Sequence, residues 1–186
     1  YTHYRMRRRP DALPERRLVR EAEERIDYRG DVVVALQADG ARRAVRELLD
    51  EGIESLAVCT LWSFRNPVHE RMLREIAREL APDLYVSVSS DLVPVIKEYE
   101  RMATTVVNAY LGPVVNGYIA AMGKELKASG FGKEFFMLNS VGGVIPPMEA
   151  GAKPIQLLGS GPSGGALASQ LLARQIEQPN VLIADM

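Results

Sequence analysis

The chain has 186 residues, of which 47% are hydrophobic and 25% charged, and its formal net charge is -1. This composition belongs to ordinary soluble globular proteins, with enough chain for one domain or two small lobes, and the balanced charge gives no general pull toward nucleic acid or anionic membrane. A single cysteine, Cys59, excludes an internal disulfide and any multi-cysteine zinc site.

Arginines crowd the start, at Arg5, Arg7, Arg8, Arg9, Arg16, Arg17 and Arg20, but Glu15, Glu21, Glu23 and Glu24 answer several of them, so a solvated, ion-paired surface is expected. Arg16 to Tyr28 alternates loosely, Asp31 to Leu36 is strongly β-forming, and Gly30 lies between. That pattern predicts a hairpin or two neighbouring strands. Asp39 is placed to cap a helix whose buried face is Ala41, Ala44, Val45, Leu48 and Leu49, ended by Gly52. Ser55 to Leu61 is a near-continuous apolar run, as in a strand covered on both faces, with Cys59 as a small core residue. Asn66-Pro67 opens a second helix with Met72, Leu73, Ile76, Ala77 and Leu80 on its inner face. Leu84 to Ser89 reads as a strand, so the first half predicts a βαβαβ unit with a largely parallel sheet.

The second half begins with a helical stretch, Glu98 to Ser129, interrupted at Gly112-Pro113. Glu134 to Asn139 reads as a strand, Gly142-Gly143 as a turn, and Pro146-Pro147 as the start of a short helix through Ala152. The last stretch predicts a strand at Ile155 to Leu158, a glycine turn from Gly159 to Gly165, a helix from Ala166 to Ile176, and a buried strand from Asn180 to Asp185. No apolar run approaches a membrane span and no leader is visible, so a cytoplasmic protein without membrane or nucleic-acid partners is expected. The opening, YTHYRMRRRP, lacks an initiator methionine and the end falls in a predicted strand; both suggest a piece of a longer protein.

His3 and His69 lack partners at metal-ligand spacing, and His69, in the first turn of a helix, is expected at the surface. No metal site is predicted. Ser140 has no nucleophile-elbow context. Asn139 and Ser140, at a strand end before two glycines, are placed to line a cleft. Arg101, Thr104, Thr105 and Asn108 fall on one helical stripe ringed by apolar residues, which predicts that the stripe is buried and satisfied by specific partners, in a structural or substrate-binding role. Ser160 to Gly165 opens a helix in a way that suits a phosphate, yet matches neither the dinucleotide nor the P-loop pattern. A structural turn, with Gly164 and Gly165 admitting close helix-to-strand packing, stands beside that reading.

IKEYERMATTVVNAYLGPVVNGY, AVCTLWSFRNPVHE, and LNSVGGVIPPMEA followed by LLGSGPSGGALAS resemble consecutive motifs of the hydantoinase/oxoprolinase family. The resemblance runs from about Glu21 to the end. Met102-Ala103 and Ser163 depart from the commonest family residues. The resemblance implies an α/β, actin-like ATPase fold of ribonuclease H-like topology, with residues 1–98 as the end of the family's N-terminal region and 99–186 as the start of its central domain, stopping before the second phosphate loop. For the intact protein it implies ATP-dependent opening of a small cyclic amide, with Mg²⁺ and a B-type partner subunit. An acetone-carboxylase-type subunit and a non-enzymatic actin-like assembly module are the alternatives. By the same resemblance Ser160, Gly161, Gly164 and Asp185 lie near the nucleotide cleft. The catalytic residue is not legible, and the 186 residues alone are expected to be inactive and to hold no nucleotide tightly.

Overall fold

A computed structural model describes residues 13–185, which divide into two compact units, one ending at Val106 and the other beginning at Val107. His3 and the arginines before residue 13 lie outside the described residues.

The first unit opens with an antiparallel pair, β1 (Arg25–Ile26) and β2 (Val32–Val34), turned by Gly30 at φ 95°. This is the predicted hairpin, and Asp27 fastens its turn by accepting from Arg29 N and Asp31 N. All three valines of β2 are exposed. Helix α1 (Ala38–Asp50) begins at Gln37 rather than at Asp39, which falls in its first turn, and Gly52 follows its end at φ 78°. Then come β3 (Ser55–Val58), α2 (Val68–Leu80), β4 (Tyr85–Val88) and a short helix, α3 (Ser89–Leu92).

Strands β3 and β4 run parallel, with Ser55 opposite Tyr85 and Val58 opposite Val88. Helix α2 is their crossover, as parallel pairing requires. The core lies where α1 and α2 cover this pair: Leu36, Ala41, Val45, Val58, Leu73, Ile76 and Ala77 form one buried cluster. These are apolar positions recurring at helical spacing, and their burial holds both helices down.

Helix α4 (Glu98–Ala128) has its residues up to Val106 in the first unit and the rest in the second. The break expected at Gly112-Pro113 is absent: Pro113 is inside the helix. Proline removes one intrahelical donor there, and Asn116 Nδ2 donates to Gly112 O at 2.8 Å within the same turn.

The second unit contains a short antiparallel hairpin, β5 (Met137–Leu138) and β6 (Val144–Ile145), then α5 (Pro147–Ala152), a 3-10 turn (Pro154–Leu157) and α6 (Ser160–Gln175). Three expectations fail here. Ile155 to Leu157 is 3-10 helical and Leu158 caps it with extended backbone, because Pro154 starts a tight turn and no strand lies beside it among the described residues. The glycine turn is already helix from Ser160, with only Gly159 left-handed, at φ 73°. Asn180 to Asp185 is exposed coil, since an apolar run becomes a strand only where a neighbour supplies the ladder. The largely parallel sheet is corrected too: among the described residues there are three two-stranded sheets, and only β3–β4 is parallel. The architecture is α/β, helices with small sheets.

Candidate functional site

At the carboxyl ends of β3 and β4 the first unit assembles a buried polar cluster. Ligands favour this end of parallel strands. Glu70, in the first turn of α2, and Arg101, in the first turn of α4, are both 0% exposed. Glu70 Oε1 accepts from Thr60 N at 2.8 Å and from Ser89 Oγ at 2.6 Å, and Oε2 accepts from Ser90 N at 2.9 Å. Arg101 donates through one terminal nitrogen to Ser63 Oγ and through the other to Thr60 O at 2.7 Å, while its guanidinium lies over the Phe64 ring at 5.5 Å.

The two serines face each other at 3.2 Å. Ser89 gives its one hydroxyl hydrogen to Glu70, so Ser63 donates to Ser89 while accepting from Arg101. A chain of donors therefore runs from the cation to the anion, and each bond polarises the next. The neighbouring Cys59 is half-buried, and burial pushes its thiol up, against the smaller effects of a hydrogen bond with Ser89 and the charge of Arg101. A raised thiol is a poor nucleophile at neutral pH.

His69 is a correction: it is 3% exposed, not a surface residue. Its Nε2 accepts from Leu36 N at 3.3 Å, so Nδ1 carries the hydrogen donated to Glu24 Oε2 at 2.7 Å. The segment between β2 and α1 is thereby tied to α2. No helical pattern of polar residues signals a long-range partner of this kind, and neither His69 nor Glu70 was legible as a buried residue.

The predicted stripe on α4 divides among different partners. Arg101 enters the cluster just described. Thr104 and Thr105 turn their hydroxyls back on the helix, to Glu100 O and Arg101 O, both at 2.7 Å, so these hydroxyls donate to the backbone and not to a ligand. Asn108, 1% exposed, works in the second unit: its Oδ1 accepts from Ile155 N at 3.1 Å and its Nδ2 donates to Ala152 O at 3.3 Å. Together with Asn116 Nδ2, which donates to Gly151 O at 3.0 Å, it anchors α5 and the turn after it.

The structure brings Asn139, Ser140 and the start of α6 together in the second unit. Asn139 Oδ1 accepts from Val141 N and Gly143 N and so builds the β5–β6 turn. Ser140 N donates to Gln156 O, and Ser140 O accepts from Ser163 Oγ at 2.6 Å. A methyl group added to Gly164 would overlap Leu138 of β5, whereas one added to Gly165 or Gly161 meets nothing within 4 Å. Gly164 is therefore the close-packing glycine and Gly165 is not. At the exposed first turn of α6, Ser160 and Gly161 have backbone N–H groups beyond the reach of intrahelical acceptors, and Pro162 has none to offer. These donors suit one oxygen edge of a phosphate. Asp185 is in exposed coil. Among the described residues no group of three or more His, Cys, Asp or Glu is gathered for a metal, and no helix is long and apolar enough to cross a membrane.

Comparison with known proteins bears on the whole chain. The model of the hydantoinase/oxoprolinase N-terminal region matches residues 2–81, and that of hydantoinase/oxoprolinase matches residues 101–186. The gamma subunit of acetophenone carboxylase from Aromatoleum aromaticum is 34% identical over 95% of this chain and 25% of its own length. Caprolactamase subunit alpha from Pseudomonas jessenii is 30% identical over 94% of this chain and 25% of its own. The crystal structure of that ATP-dependent caprolactamase superposes with a TM-score of 0.80 at 28% identity, covering 91% of this chain and 25% of the other. A nucleotide-free structure of acetone carboxylase gives 0.81 at 28%, covering 95% and 25%. The chain thus spans about a quarter of the length of these relatives. On these matches, in the order that the motifs take along the sequence, the chain belongs to the hydantoinase/oxoprolinase family.

Proposed function

We propose that this chain is part of an ATP-dependent enzyme that opens a small cyclic amide, acting with a partner subunit. The observation that carries the reading is its likeness, at a TM-score of 0.80, to a protein described as an ATP-dependent caprolactamase, since a lactam is a cyclic amide. An amide carbonyl is a poor electrophile, and transfer of a phosphoryl group to its oxygen makes the carbon open to water; ATP is the source of that group. Catalysis of such a transfer consists of positioning and charge neutralisation.

In this reading the chain contributes to the nucleotide site through Ser160 N and Gly161 N at the start of α6, where a helix N-terminus favours a phosphate oxygen. Ser140, whose carbonyl accepts from Ser163 Oγ, ties the start of α6 to the β5–β6 turn, which Asn139 shapes by accepting from Gly143 N. Arg101 and Asn108 act as structural supports, because their polar atoms are directed at Ser63, Thr60, Ala152 and Ile155. The residues fit part of a triphosphate; further donors, Mg²⁺ anchorage and the actin-like second lobe belong to the remainder of the intact enzyme. Residues 1–98 and 99–186 are read as the end of the N-terminal region and the start of the central domain, and the protein as cytoplasmic.

A second reading, an ATP-dependent carboxylase subunit, is favoured by the 34% identity to an acetophenone carboxylase subunit. One experiment separates them. The intact protein with its partner subunit is given ATP and either cyclic amides (hydantoin, oxoproline, lactams) or a ketone with bicarbonate. Amide-dependent phosphate release supports the hydrolase. Release that requires ketone and bicarbonate supports the carboxylase, and release with neither overturns both.

A further inference from the structure

We infer that the Glu70–Arg101 cluster encloses a binding site for one neutral hydrogen-bonding molecule of the size of water. Three polar atoms there, Arg101 Nε, Thr60 Oγ1 and Ser90 Oγ, are buried without a hydrogen-bond partner among the described residues. All belong to residues whose other polar atoms are already bound into the cluster. Thr60 N and Ser90 N hold the two oxygens of Glu70, and Thr60 O accepts from Arg101. Native interiors satisfy such atoms, most often with an internal water making two to four hydrogen bonds.

The chemistry of the lining selects the guest. Arg101 Nε only donates, so the guest offers it a lone pair, while the hydroxyls of Thr60 and Ser90 can donate or accept. An anion is disfavoured, because Glu70 already balances Arg101 through Ser63 and Ser89 and a second negative charge would stand beside that carboxylate unpaired. A cation would face the guanidinium. None of the three atoms is reachable from the surface, which limits the guest to a small molecule. Water meets every condition, and in this position it gives Arg101 Nε an acceptor beside those that its terminal nitrogens already have in Ser63 and Thr60.

The test is nitrogen-15 nuclear magnetic resonance on the full chain. The Arg101 Nε–H signal, assigned by its loss in Arg101→Lys, is expected to show a direct cross-peak to a long-lived water, and that cross-peak is expected to weaken in Thr60→Val. Where Arg101→Lys does not fold, the signal is assigned instead as the arginine Nε–H perturbed by both Thr60→Val and Ser90→Ala. Cross-peaks to protein hydrogens alone overturn the inference. So does a shift of this signal on titration with formate, which reports an anion site.

Discussion

Glu70 and Arg101 are joined through two serine hydroxyls, so that the hydrogen Ser89 gives to Glu70 fixes the direction of every bond back to the guanidinium. Removing one end leaves the other charge buried without its balance. Arg101→Met is therefore expected to destabilise by about 3 to 5 kcal/mol, and Glu70→Leu by a similar amount. The double variant should lose markedly less than the sum, because partners in one network are not additive. Urea denaturation of the four proteins checks it; strict additivity would show that the serines transmit nothing.

Asn108 supplies both ends of its amide to the turn that follows α5. Asn108→Ala removes the acceptor of Ile155 N and a donor to Ala152 O and is expected to cost about 1 to 3 kcal/mol. An unchanged denaturation midpoint would mean that water replaces the side chain without penalty.

Gly164 and Gly165 should respond in opposite directions. Gly164→Ala places a methyl group against Leu138 and is expected to destabilise by about 1 to 3 kcal/mol, less where the leucine can turn aside. Gly165→Ala meets open space inside α6 and should stabilise by about 0.5 to 1 kcal/mol. Thermal melts of the pair measure the contrast, and equal effects would refute the packing assignment.

Asp27 carries a pH signature. The hydrogen bond from Asp31 N, with that from Arg29 N, holds its carboxyl below the usual aspartate range. A carboxyl held low in the folded state stabilises above the unfolded-state value and loses that contribution as the pH falls through the folded one. The difference in Tm between the parent and Asp27→Asn should thus be constant from neutral pH to about pH 4 and shrink below it. A difference already shrinking at pH 6 would exclude Asp27 as its source.

Local pattern made α1 and α2 legible, because Ala41, Val45 and Leu48 or Leu73, Ile76 and Ala77 recur at helical spacing and are buried as that spacing requires. The stripe through Arg101 and Asn108 was legible for a related reason, polar residues on a helix with too little apolar-free surface for water. His69 and Glu70 were not. Their burial depends on Glu24, Leu36, Thr60, Ser89 and Ser90, which are distant in sequence and carry no periodic signal. The misread segments, Ile155 to Leu158 and Asn180 to Asp185, share one cause: a short apolar run does not say whether a neighbouring strand exists.

Strand β2 has valine at three successive positions, so both faces are apolar, and Val33 is 62% exposed. Its one strand neighbour among the described residues is β1, which leaves the opposite row of backbone donors and acceptors open. Such an edge templates pairing with any extended chain it meets. Solutions of these 186 residues are therefore expected to scatter light increasingly with concentration, and Val33→Lys, which places a charge on the edge, should raise the concentration at which clouding begins without lowering the folding stability by more than about 0.5 kcal/mol.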